Sequence, residues 1–480
     1  MIMSADVQAI KMGNKILLIN PPSISNKGIY KELKYPPMGL MFLASVLRHH
    51  GYQPTIFDGD IESRALEKLE KIIREGDFKI AGISFSSMTS EGAFEAAKMI
   101  KKIDPSITVI AGGYHPTVMI KDTLLRPFFD FLVYGEGENT LPELLNFVSG
   151  KDKKISIENI IGIAFKKGEE VAVNAPRVPM VDLDKIPLPA YDLIDIGAYS
   201  NPSSTRKPYI TYTRSRGCPF FCNFCGVQKM FTRKYRCESP QKTMDNIDYL
   251  VEKFKIREIL FKDSEFVINK QSVMDFCDLL AARNYDLVWG CNARVDTVCE
   301  ELLQKMKKAG CTQITYGVES GDQDILNNTG KKITLDQARN AIKLTKKIGI
   351  RCVTNFIIGH VGETRESVKK TIEFAKELDA DYTVFGSLMA FPGSEIYDKS
   401  IINNWFINGT PKSFTYEDLR LNATKMTNEE IAYFLRKALS SFYFRPKYIV
   451  KRLVKSFLSF REMKNNFVGL FAIAKKMTTG

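Results

Sequence analysis

The feature that most constrains the fold of this chain is the regular alternation of short apolar segments with amphipathic helical segments. In the first part of the sequence, strand-like apolar runs occupy residues 15–20, 53–58, 80–85, 108–111 and 131–134. Helical spacing of apolar residues lies between them, for example at 38–50 and 90–103. Short buried strands separated by helices are typical of a parallel sheet covered by helices on both faces. We therefore predict an α/β fold that begins with a doubly wound parallel sheet over residues 1–150, with its ligands at the carboxyl ends of the strands.

The alternation resumes after a proline-rich stretch. Six of the 20 prolines fall within residues 176–208, and we interpret 151–208 as an interdomain linker with a small β element. Beyond it, further strand-like runs occupy residues 209–213, 258–261, 287–291, 313–318, 351–358 and 382–389. Six β/α units predict a parallel partial barrel over residues 209–400, with its chemistry at the carboxyl ends of the strands.

The net charge of +13 is concentrated in the last tenth of the chain. Residues 431–480 hold eleven Lys or Arg and one acidic residue, so +10 of the +13 lies there and the other 430 residues are nearly neutral. We predict a helical basic region over residues 401–480. It fits either packing on the barrel with a solvated basic face or a peripheral contact with an anionic membrane. A nucleic-acid partner is not predicted, because the aromatic residues of this region lie among aliphatic ones.

The nine cysteines begin only at Cys218. The segment GCPFFCNFC places Cys218, Cys222 and Cys225 in a Cys-x3-Cys-x2-Cys spacing directly after the first predicted barrel strand. A structural zinc site normally takes four ligands, and Cys237 is the only close fourth candidate. Three thiolates on a 4Fe-4S cluster would leave one iron open to a substrate or cofactor. The N-terminus lacks the apolar core of a signal peptide, so we expect a reducing, cytoplasmic location, where clustered cysteines bind metal or do chemistry.

This segment, with Phe224 just before the last cysteine, resembles the signature of the radical S-adenosylmethionine (SAM) enzymes. The resemblance implies that the open iron chelates SAM, and that one electron cleaves SAM to a 5′-deoxyadenosyl radical. A reductase such as flavodoxin or ferredoxin would supply that electron. The resemblance further implies contacts to SAM from the strand ends: to its amino group from Asp263 and Glu265, to its carboxylate in a bidentate manner from Arg294, and to its ribose from Glu319 and Ser320.

Each of these five residues also fits a solvated loop charge or a helix cap. His360 stands where relatives often have proline, which leaves its role open.

Four N-terminal segments, PPMGLMFLASVLRHHGY, GISFSSMTS, GGYHPT and VYGEGENT, resemble the cobalamin-binding domain that precedes the barrel in one radical SAM subfamily. That subfamily includes the hopanoid methylases and the anaerobic magnesium-protoporphyrin IX monomethyl ester cyclase. Residues 20–34 contain no histidine, so the resemblance implies a cobalt without a histidine lower ligand. His115, before a proline in a turn, is predicted to be structural. The corrin would lie at the strand ends near Ser84, Ser86, Thr89, Gly112, Gly113 and Gly135.

Together these resemblances imply an enzyme with a 4Fe-4S cluster, SAM and cobalamin that methylates an unactivated carbon. The basic aromatic tail favours a hydrophobic or lipid-like small-molecule substrate. Oxidative cyclisation or rearrangement of a porphyrin-like or other small molecule is the alternative reaction. A sheet that has lost cobalamin, or a non-catalytic cobalamin or SAM sensor that has kept the fold, also fits the pattern, although the intact cysteine motif favours an enzyme.

Overall fold

The computed structural model describes residues 14–23, 33–151, 154–199, 201, 204–409, 414 and 420–458. They form two successive α/β units, each built on its own sheet, and helices that follow the second unit. Within these ranges, no helix is long and apolar enough to span a bilayer.

The first unit is a seven-stranded sheet in the order β2-β1-β3-β4-β5-β6-β7. Its five parallel strands are β1 (Lys15–Asn20), β2 (Gln53–Asp58), β3 (Ile80–Ser84), β4 (Thr108–Gly112) and β5 (Phe131–Val133). The antiparallel strands β6 (Ile163–Lys167) and β7 (Glu170–Val173) extend one edge. The small β element of the predicted linker thus joins the first sheet. The strand order reverses at β1 and β3, where open α/β sheets bind their ligands.

Helices cover both faces of this sheet, because β1 alternates apolar side chains between the two sides. Ile16 and Leu18 pack with α1 (Met38–His49) and α6 (Gly137–Val148). The residues between them pack on the opposite face with α2 (Ala65–Glu75) and α3 (Ser90–Ile103). Two short helices follow β4, namely α4 (Tyr114–Val118) and α5 (Ile120–Leu124). The predicted doubly wound sheet is confirmed.

The second unit is a six-stranded, wholly parallel sheet in the order β15-β14-β13-β12-β11-β8. Its strands are β8 (Tyr209–Tyr212), β11 (Glu258–Phe261), β12 (Val288–Ala293), β13 (Cys311–Glu319), β14 (Arg351–Ile358) and β15 (Tyr382–Ser387). A short ribbon of β9 (Ser215–Arg216) and β10 (Arg236–Cys237) lies beyond the end of β8. All six predicted β/α units are present, so the predicted barrel architecture is confirmed.

Helices cover the outer face of the second sheet. They are α8 (Pro240–Phe254), α9 (Lys270–Ala282), α10 (Glu300–Lys308), α12 (Leu335–Lys347) and α13 (Arg365–Leu378). The short helices α7 (Val227–Phe231) and α11 (Gln323–Asn328) lie in the loops that follow β9 and β13. Burial alternates along β14, where every second residue is fully buried and the intervening ones are half-buried. Period-two burial is what a strand produces when one face packs on helices and the other lines a more open interior.

Three further helices complete the described chain: α14 (Glu395–Ile402), α15 (Asn428–Tyr443) and α16 (Pro446–Leu458). α15 covers β15, which is an edge strand of the second sheet. The Tyr443 hydroxyl donates to the carbonyl of Thr383 over 2.7 Å and accepts from its N–H over 3.1 Å, so it takes the place of a neighbouring strand. A helical C-terminus is confirmed by α15 and α16, whereas the described residues between α14 and α15 are not helical. The remainder of the basic tail, 459–480, lies outside the described residues.

Candidate cluster and cofactor site

The cysteine loop (residues 217–226) runs from β9 to α7, and a glycine shapes each of its ends. Gly217 has φ +83°, and an added Cβ would lie 2.2 Å from the carbonyl oxygen of Lys234. An added Cβ on Gly226 would lie 1.7 Å from the hydroxyl of Tyr114 in the first unit. Between these ends, the N–H of Asn223 donates to the carbonyl of Thr329 over 2.9 Å. The loop is therefore held closely against both units.

Cys218, Cys222 and Cys225 are free, half-buried thiols. Burial raises the pKa of all three above the ordinary thiol value, to about 11 for Cys222. At Cys222 the positive charges of Lys331 and Arg294 oppose this rise. Thiols must lose a proton to bind a metal, so these two cations favour the form that metal binding requires.

The three thiols fit a 4Fe-4S cluster better than a single metal ion. Among the described residues, no group of three or more His, Cys, Asp or Glu side chains is close enough to hold one metal ion. In a 4Fe-4S cluster each thiolate binds a different iron at a corner of a cube, so the sulfurs need not meet at a point. The zinc alternative, with Cys237 as fourth ligand, gains no support from this arrangement.

Two buried carboxyl groups follow β11, where the sequence predicts contacts to the SAM amino group. One oxygen of Asp263 accepts a hydrogen bond from the Ser215 hydroxyl, and the other oxygen has no partner among the described residues. Burial raises the pKa of Asp263 to about 6 and that of Glu265 to about 7. Glu265 accepts from the hydroxyl of Thr297 over 3.2 Å. A buried, unsatisfied carboxyl oxygen fits a ligand that brings its own N–H donors.

Arg294 lies in the site, but its neighbours differ from the predicted arrangement. Its Nε and Nη2 donate to the two carboxylate oxygens of Asp296, each over 2.8 Å, and Nη2 also donates to the carbonyl of Lys331. Its guanidinium stacks 3.5 Å from the ring centre of Phe220 in the cysteine loop. The bidentate edge that the sequence assigns to the SAM carboxylate is thus already engaged within the protein.

Glu319 ends β13 in a left-handed conformation, with φ +69°. Its carboxylate lies 2.5 Å from Nζ of Lys331, and both side chains are more than nine-tenths buried. Lys331 also donates to the carbonyl of Gly317 over 2.8 Å. This ion pair lies beside Cys222 and Cys225, so its charges act directly on the cysteine loop.

Ser320 is directed away from the interior, in contrast to the predicted ribose contact. It is fully buried, its hydroxyl lies 3.1 Å from that of Thr371 in α13, and it accepts from the N–H of Asp322. Successive side chains of an extended segment point to opposite faces, so Ser320 faces α13 where Glu319 faces the cysteine loop.

His360 and Glu363 follow β14 and are both buried. Nε2 of His360 and Oε1 of Glu363 have no partner among the described residues. Burial lowers the pKa of His360 to about 4, so its ring is neutral near pH 7. Its ring centre lies 6.0 Å from that of Phe224, which places it beside the last cysteine.

The loops predicted to meet cobalamin follow β3, β4 and β5. Ser84 and Gly112 are partners at the ends of β3 and β4. The Ser86 N–H donates to the Thr89 hydroxyl over 3.1 Å, a local turn ahead of α3. Gly113 has φ +94°, and Gly135 has φ +72° and donates its N–H to the hydroxyl of Thr117 over 3.0 Å. Nothing lies within 4 Å of an added Cβ on Gly135, so this turn leaves the backbone open to a bulky ligand, whereas an added Cβ on Gly113 would lie 2.8 Å from the backbone nitrogen of Phe85.

His115 packs inside the first unit. Its Nδ1 lies 3.0 Å from the hydroxyl of Ser87, and its ring stacks on Phe85 with centres 5.6 Å apart. Burial lowers its pKa to about 4. These contacts match the structural role that the sequence predicts.

The carboxyl ends of the two sheets face each other around the cysteine loop. The Tyr114 hydroxyl, after β4, donates to the carbonyl of Pro392, after β15, over 2.7 Å. The Thr117 hydroxyl lies 3.5 Å from Sδ of Met230, in α7. The strand-end loops of both units thus meet at one place.

Sequence reasoning missed Lys331, because it lies in a polar turn that belongs to no recognisable motif. Only its position three residues after Asn328 at the end of α11 hints that it folds back onto the loop. Glu363, three residues after His360, was also not predicted to belong to the site.

Comparisons with known proteins agree with this arrangement. A family model described as "Radical SAM superfamily" matches residues 212–375, and one described as "B12 binding domain" matches residues 30–145. The chain is 34% identical over 438 residues to the uncharacterized methyltransferase PH0819 of Pyrococcus horikoshii, covering 91% of this chain and 94% of that protein. It is 28% identical to an anaerobic magnesium-protoporphyrin IX monomethyl ester cyclase of Rubrivivax gelatinosus, covering 80% and 70%.

A solved structure shares the fold of both units. It is the radical SAM methyltransferase TsrM from Kitasatospora setae with cobalamin and a [4Fe-4S] cluster bound. The TM-score is 0.67 at 19% identity, and the match covers 83% of this chain and 76% of that chain.

Proposed function

This chain belongs to the radical SAM enzymes that carry an N-terminal B12-binding domain, and from this premise we propose that it methylates an unactivated carbon of a hydrophobic small molecule. When bound, the cluster and SAM supply a radical that removes hydrogen from carbon, and cobalamin supplies the methyl group. The observation that carries the proposal is the meeting of the two strand-end edges at the cysteine loop, through Tyr114 and Thr117. A substrate between these edges would be open to both cofactors.

The residues of the cysteine loop are proposed to hold the cluster and to keep water away from it. Cys218, Cys222 and Cys225 would be its three protein ligands. Phe220, stacked on Arg294, and Phe224, beside His360, surround the loop with aromatic surface. A dry surrounding protects a reactive carbon centre from side reactions.

The buried charges of the barrel are proposed to bind the polar end of SAM. The free oxygen of Asp263 and the carboxyl of Glu265 would accept hydrogen bonds from its amino group. An ammonium group would also lower the raised pKa of both carboxyl groups, because a nearby positive charge favours the ionised carboxylate that burial disfavours. For the carboxylate of SAM, Lys331 is a better candidate than the engaged edge of Arg294, since its ammonium has three donors and only two of them meet Glu319 and the Gly317 carbonyl.

The proposed reaction can be tested without knowledge of the substrate. The anaerobically reconstituted protein is incubated with dithionite, hydroxocobalamin and SAM carrying a deuterated methyl group. We expect 5′-deoxyadenosine and cobalamin that carries the labelled methyl group, both measured by mass spectrometry. The combined Cys218→Ala, Cys222→Ala and Cys225→Ala variant is expected to form no 5′-deoxyadenosine above background. Equal amounts from both proteins would contradict the proposal that these three cysteines hold the cluster that cleaves SAM.

The same experiment distinguishes methylation from the alternative reaction, oxidative cyclisation. Oxidative cyclisation is proposed as the second candidate, because one relative is a cyclase that aligns with 80% of this chain. Cyclisation needs hydrogen abstraction but no methyl donor. Formation of 5′-deoxyadenosine without label on cobalamin would therefore favour the cyclisation.

We propose that the tail places the enzyme at an anionic membrane, where a lipid-like substrate would be found. The inner face of α16 is fixed to the barrel, since the Tyr448 hydroxyl donates to the carbonyl of Asp381 over 2.9 Å. Its outer face carries Val450, Leu453 and Val454, each more than half exposed, next to the exposed Lys447. An apolar stripe beside basic residues is typical of helices that lie on anionic lipid, where each basic residue contributes about 1 kcal/mol.

Vesicle flotation tests this contact. We expect the protein to float with phosphatidylglycerol-containing vesicles and not with neutral phosphatidylcholine vesicles. The Val450→Asp and Leu453→Asp double variant is expected to float several-fold less. Ile402→Asp, a change at an exposed residue of α14, is the matched control. Equal flotation of the wild type and the double variant would contradict the membrane contact.

An acidic electron carrier of the flavodoxin or ferredoxin type is proposed as the reductase. Phe221 of the cysteine loop is 58% exposed, and the guanidinium of Arg233 lies 3.6 Å from its ring centre. An exposed aromatic ring beside a cation suits a small acidic partner. We expect Arg233→Glu to slow reduction by the carrier and to leave reduction by dithionite unchanged. Equal slowing with both reductants would contradict this docking surface.

A further inference from the structure

Four buried charged side chains join the two units beside the start of the cysteine loop. Glu136 and Glu138 come from the GEGE segment after β5, and Arg216 and Arg236 from the β9–β10 ribbon. Arg216 lies 3.1 Å from Glu136 and 2.5 Å from Glu138, and Arg236 lies 2.5 Å from Glu136. All four side chains are at least nine-tenths buried. We refer to these residues as the interdomain ion network.

The network is balanced and tightly held. Two negative and two positive charges cancel, and Arg216 and Arg236 are direct partners in the ribbon. Burial alone would raise the pKa of Glu138, but its pairing with Arg216 outweighs burial and lowers the pKa below the ordinary value. Arg236 also donates to the carbonyl of Met180 in the linker over 2.7 Å. A buried pair of this kind costs little when complete and much when one partner is removed.

The position of Arg216 connects the network to the cluster ligands. Gly217 and then Cys218 follow it directly. Gly217 packs closely against Lys234, because an added Cβ would lie only 2.2 Å from the Lys234 carbonyl oxygen. A shift of the Arg216 backbone is therefore passed on to the first cysteine. At the other end of the loop, Gly226 lies against the Tyr114 hydroxyl, so the first unit contacts both flanks of the loop.

The contacts on both flanks come from the loops that the sequence predicts to meet cobalamin. Gly135 directly precedes Glu136, and Gly113 directly precedes Tyr114. Any ligand that orders these two glycine turns also orders the residues that hold the cysteine loop. The reverse also holds, since a formed cluster fixes the loop against which Tyr114 and Glu136 rest.

We propose that Glu136 and Glu138 are positioning residues that couple the two cofactor sites, so that cluster assembly in the cysteine loop strengthens cobalamin binding in the first unit. The inference rests on the proposed function, because it assumes that cobalamin binds at these turns. Coupling between two binding sites is reciprocal, so the same factor applies to the effect of cobalamin on the cluster.

The test measures hydroxocobalamin affinity, by anaerobic absorbance titration, before and after cluster reconstitution. For the wild type we expect at least roughly five-fold tighter binding with the cluster, the lower end of typical coupling. For the Glu136→Gln and Glu138→Gln double variant we expect a ratio of about one. Glu143→Gln is the matched control. Glu143 lies on the same helix as Glu138 but is half-exposed and pairs with Arg177, outside the network, so this variant is expected to keep the wild-type ratio.

Several outcomes are decisive. A wild-type ratio of one, or an unchanged ratio in the double variant, would overturn the coupling while leaving the proposed function intact. If no form binds hydroxocobalamin, both the coupling and the proposed use of cobalamin fail. Loss of the cluster from a double variant with native circular dichroism, with Glu143→Gln unaffected, would support the positioning role. If the double variant does not fold, Glu138→Gln, which leaves Glu136 between both arginines, takes its place and is expected to at least halve the ratio.

Discussion

Gly217 shapes the loop that carries the three cysteines, through both its φ of +83° and the 2.2 Å that would separate an added Cβ from the Lys234 carbonyl. We expect Gly217→Ala to reduce the iron bound after reconstitution to less than half, because the ribbon and the loop cannot both keep their places. Iron content per chain, measured with circular dichroism to confirm folding, is the test.

A matched glycine separates steric overlap from backbone strain. Gly168 also has a positive φ, +67°, but nothing lies within 4 Å of an added Cβ. Gly168→Ala is expected to keep wild-type iron content. Similar iron loss in both variants, or none in Gly217→Ala, would contradict the role assigned to Gly217.

Glu238 is a buried carboxyl group in the barrel that accepts hydrogen bonds from Tyr212 and Thr243. Burial raises its pKa from 4.5 to about 7. The folded state therefore binds the proton more tightly than the unfolded state, so this group makes stability fall as pH rises from 4.5 to 7. Relative to wild type, Glu238→Gln is expected to gain about 2 kcal/mol between pH 5 and pH 8. Thermal unfolding at both pH values measures this gain, and a parallel pH dependence of the two proteins would contradict it.

The individual site residues were predictable from sequence to very different degrees. The spacing of the three cysteines was sufficient to predict that they lie together, since one loop carries all three. Glu319 and Ser320 are neighbours at a strand end, and the alternation of side chains allows only one of them to face the interior, so Ser320 faces α13. The pairing of Lys331 with Glu319 and the contacts of Arg294 with Phe220 and Lys331 join separate loops, and no local pattern encodes them.

Among the helices, α15 is expected to contribute most to the stability of the barrel edge. Phe442 is fully buried in the core of the second unit, whereas Phe444, just beyond the helix, is 43% exposed. Phe442→Ala is expected to lower the free energy of unfolding by about 3–5 kcal/mol, because a large buried ring leaves a cavity. Phe444→Ala is expected to change it by less than about 0.5 kcal/mol. Urea unfolding followed by tryptophan fluorescence gives both values, since Trp289 lies in the same core. Equal losses from the two variants would contradict the packing of α15.

Strands and helices were the most predictable part of the fold. β1, β2 and α3 have the same bounds as the apolar segments that predict them. The β6–β7 pair was visible as a β element, but its place at the edge of the first sheet depends on pairing with β5, a contact the local sequence does not specify.

At the level of the whole molecule, two α/β units each have a functional edge, and the described contacts bring those edges together. Sequence patterns predicted both edges separately. Their mutual orientation depends on two long-range contacts. Tyr114 donates to the carbonyl of Pro392, 278 residues away, and in the interdomain ion network Arg236 donates to Glu136, 100 residues away. Charges that look like surface residues in a sequence become buried and paired only when the units meet.

The central claim is that one chain holds a 4Fe-4S cluster in the cysteine loop and cobalamin at the opposing edge. The most direct test is the metal content of the protein reconstituted anaerobically with iron, sulfide and hydroxocobalamin and freed of unbound reagents. We expect about four iron, four sulfide and one cobalt per chain. The variant with alanine at Cys218, Cys222 and Cys225 is expected to lose the iron and keep measurable cobalt. A wild-type protein without cobalt, or with iron that persists in the alanine variant, would contradict the claim.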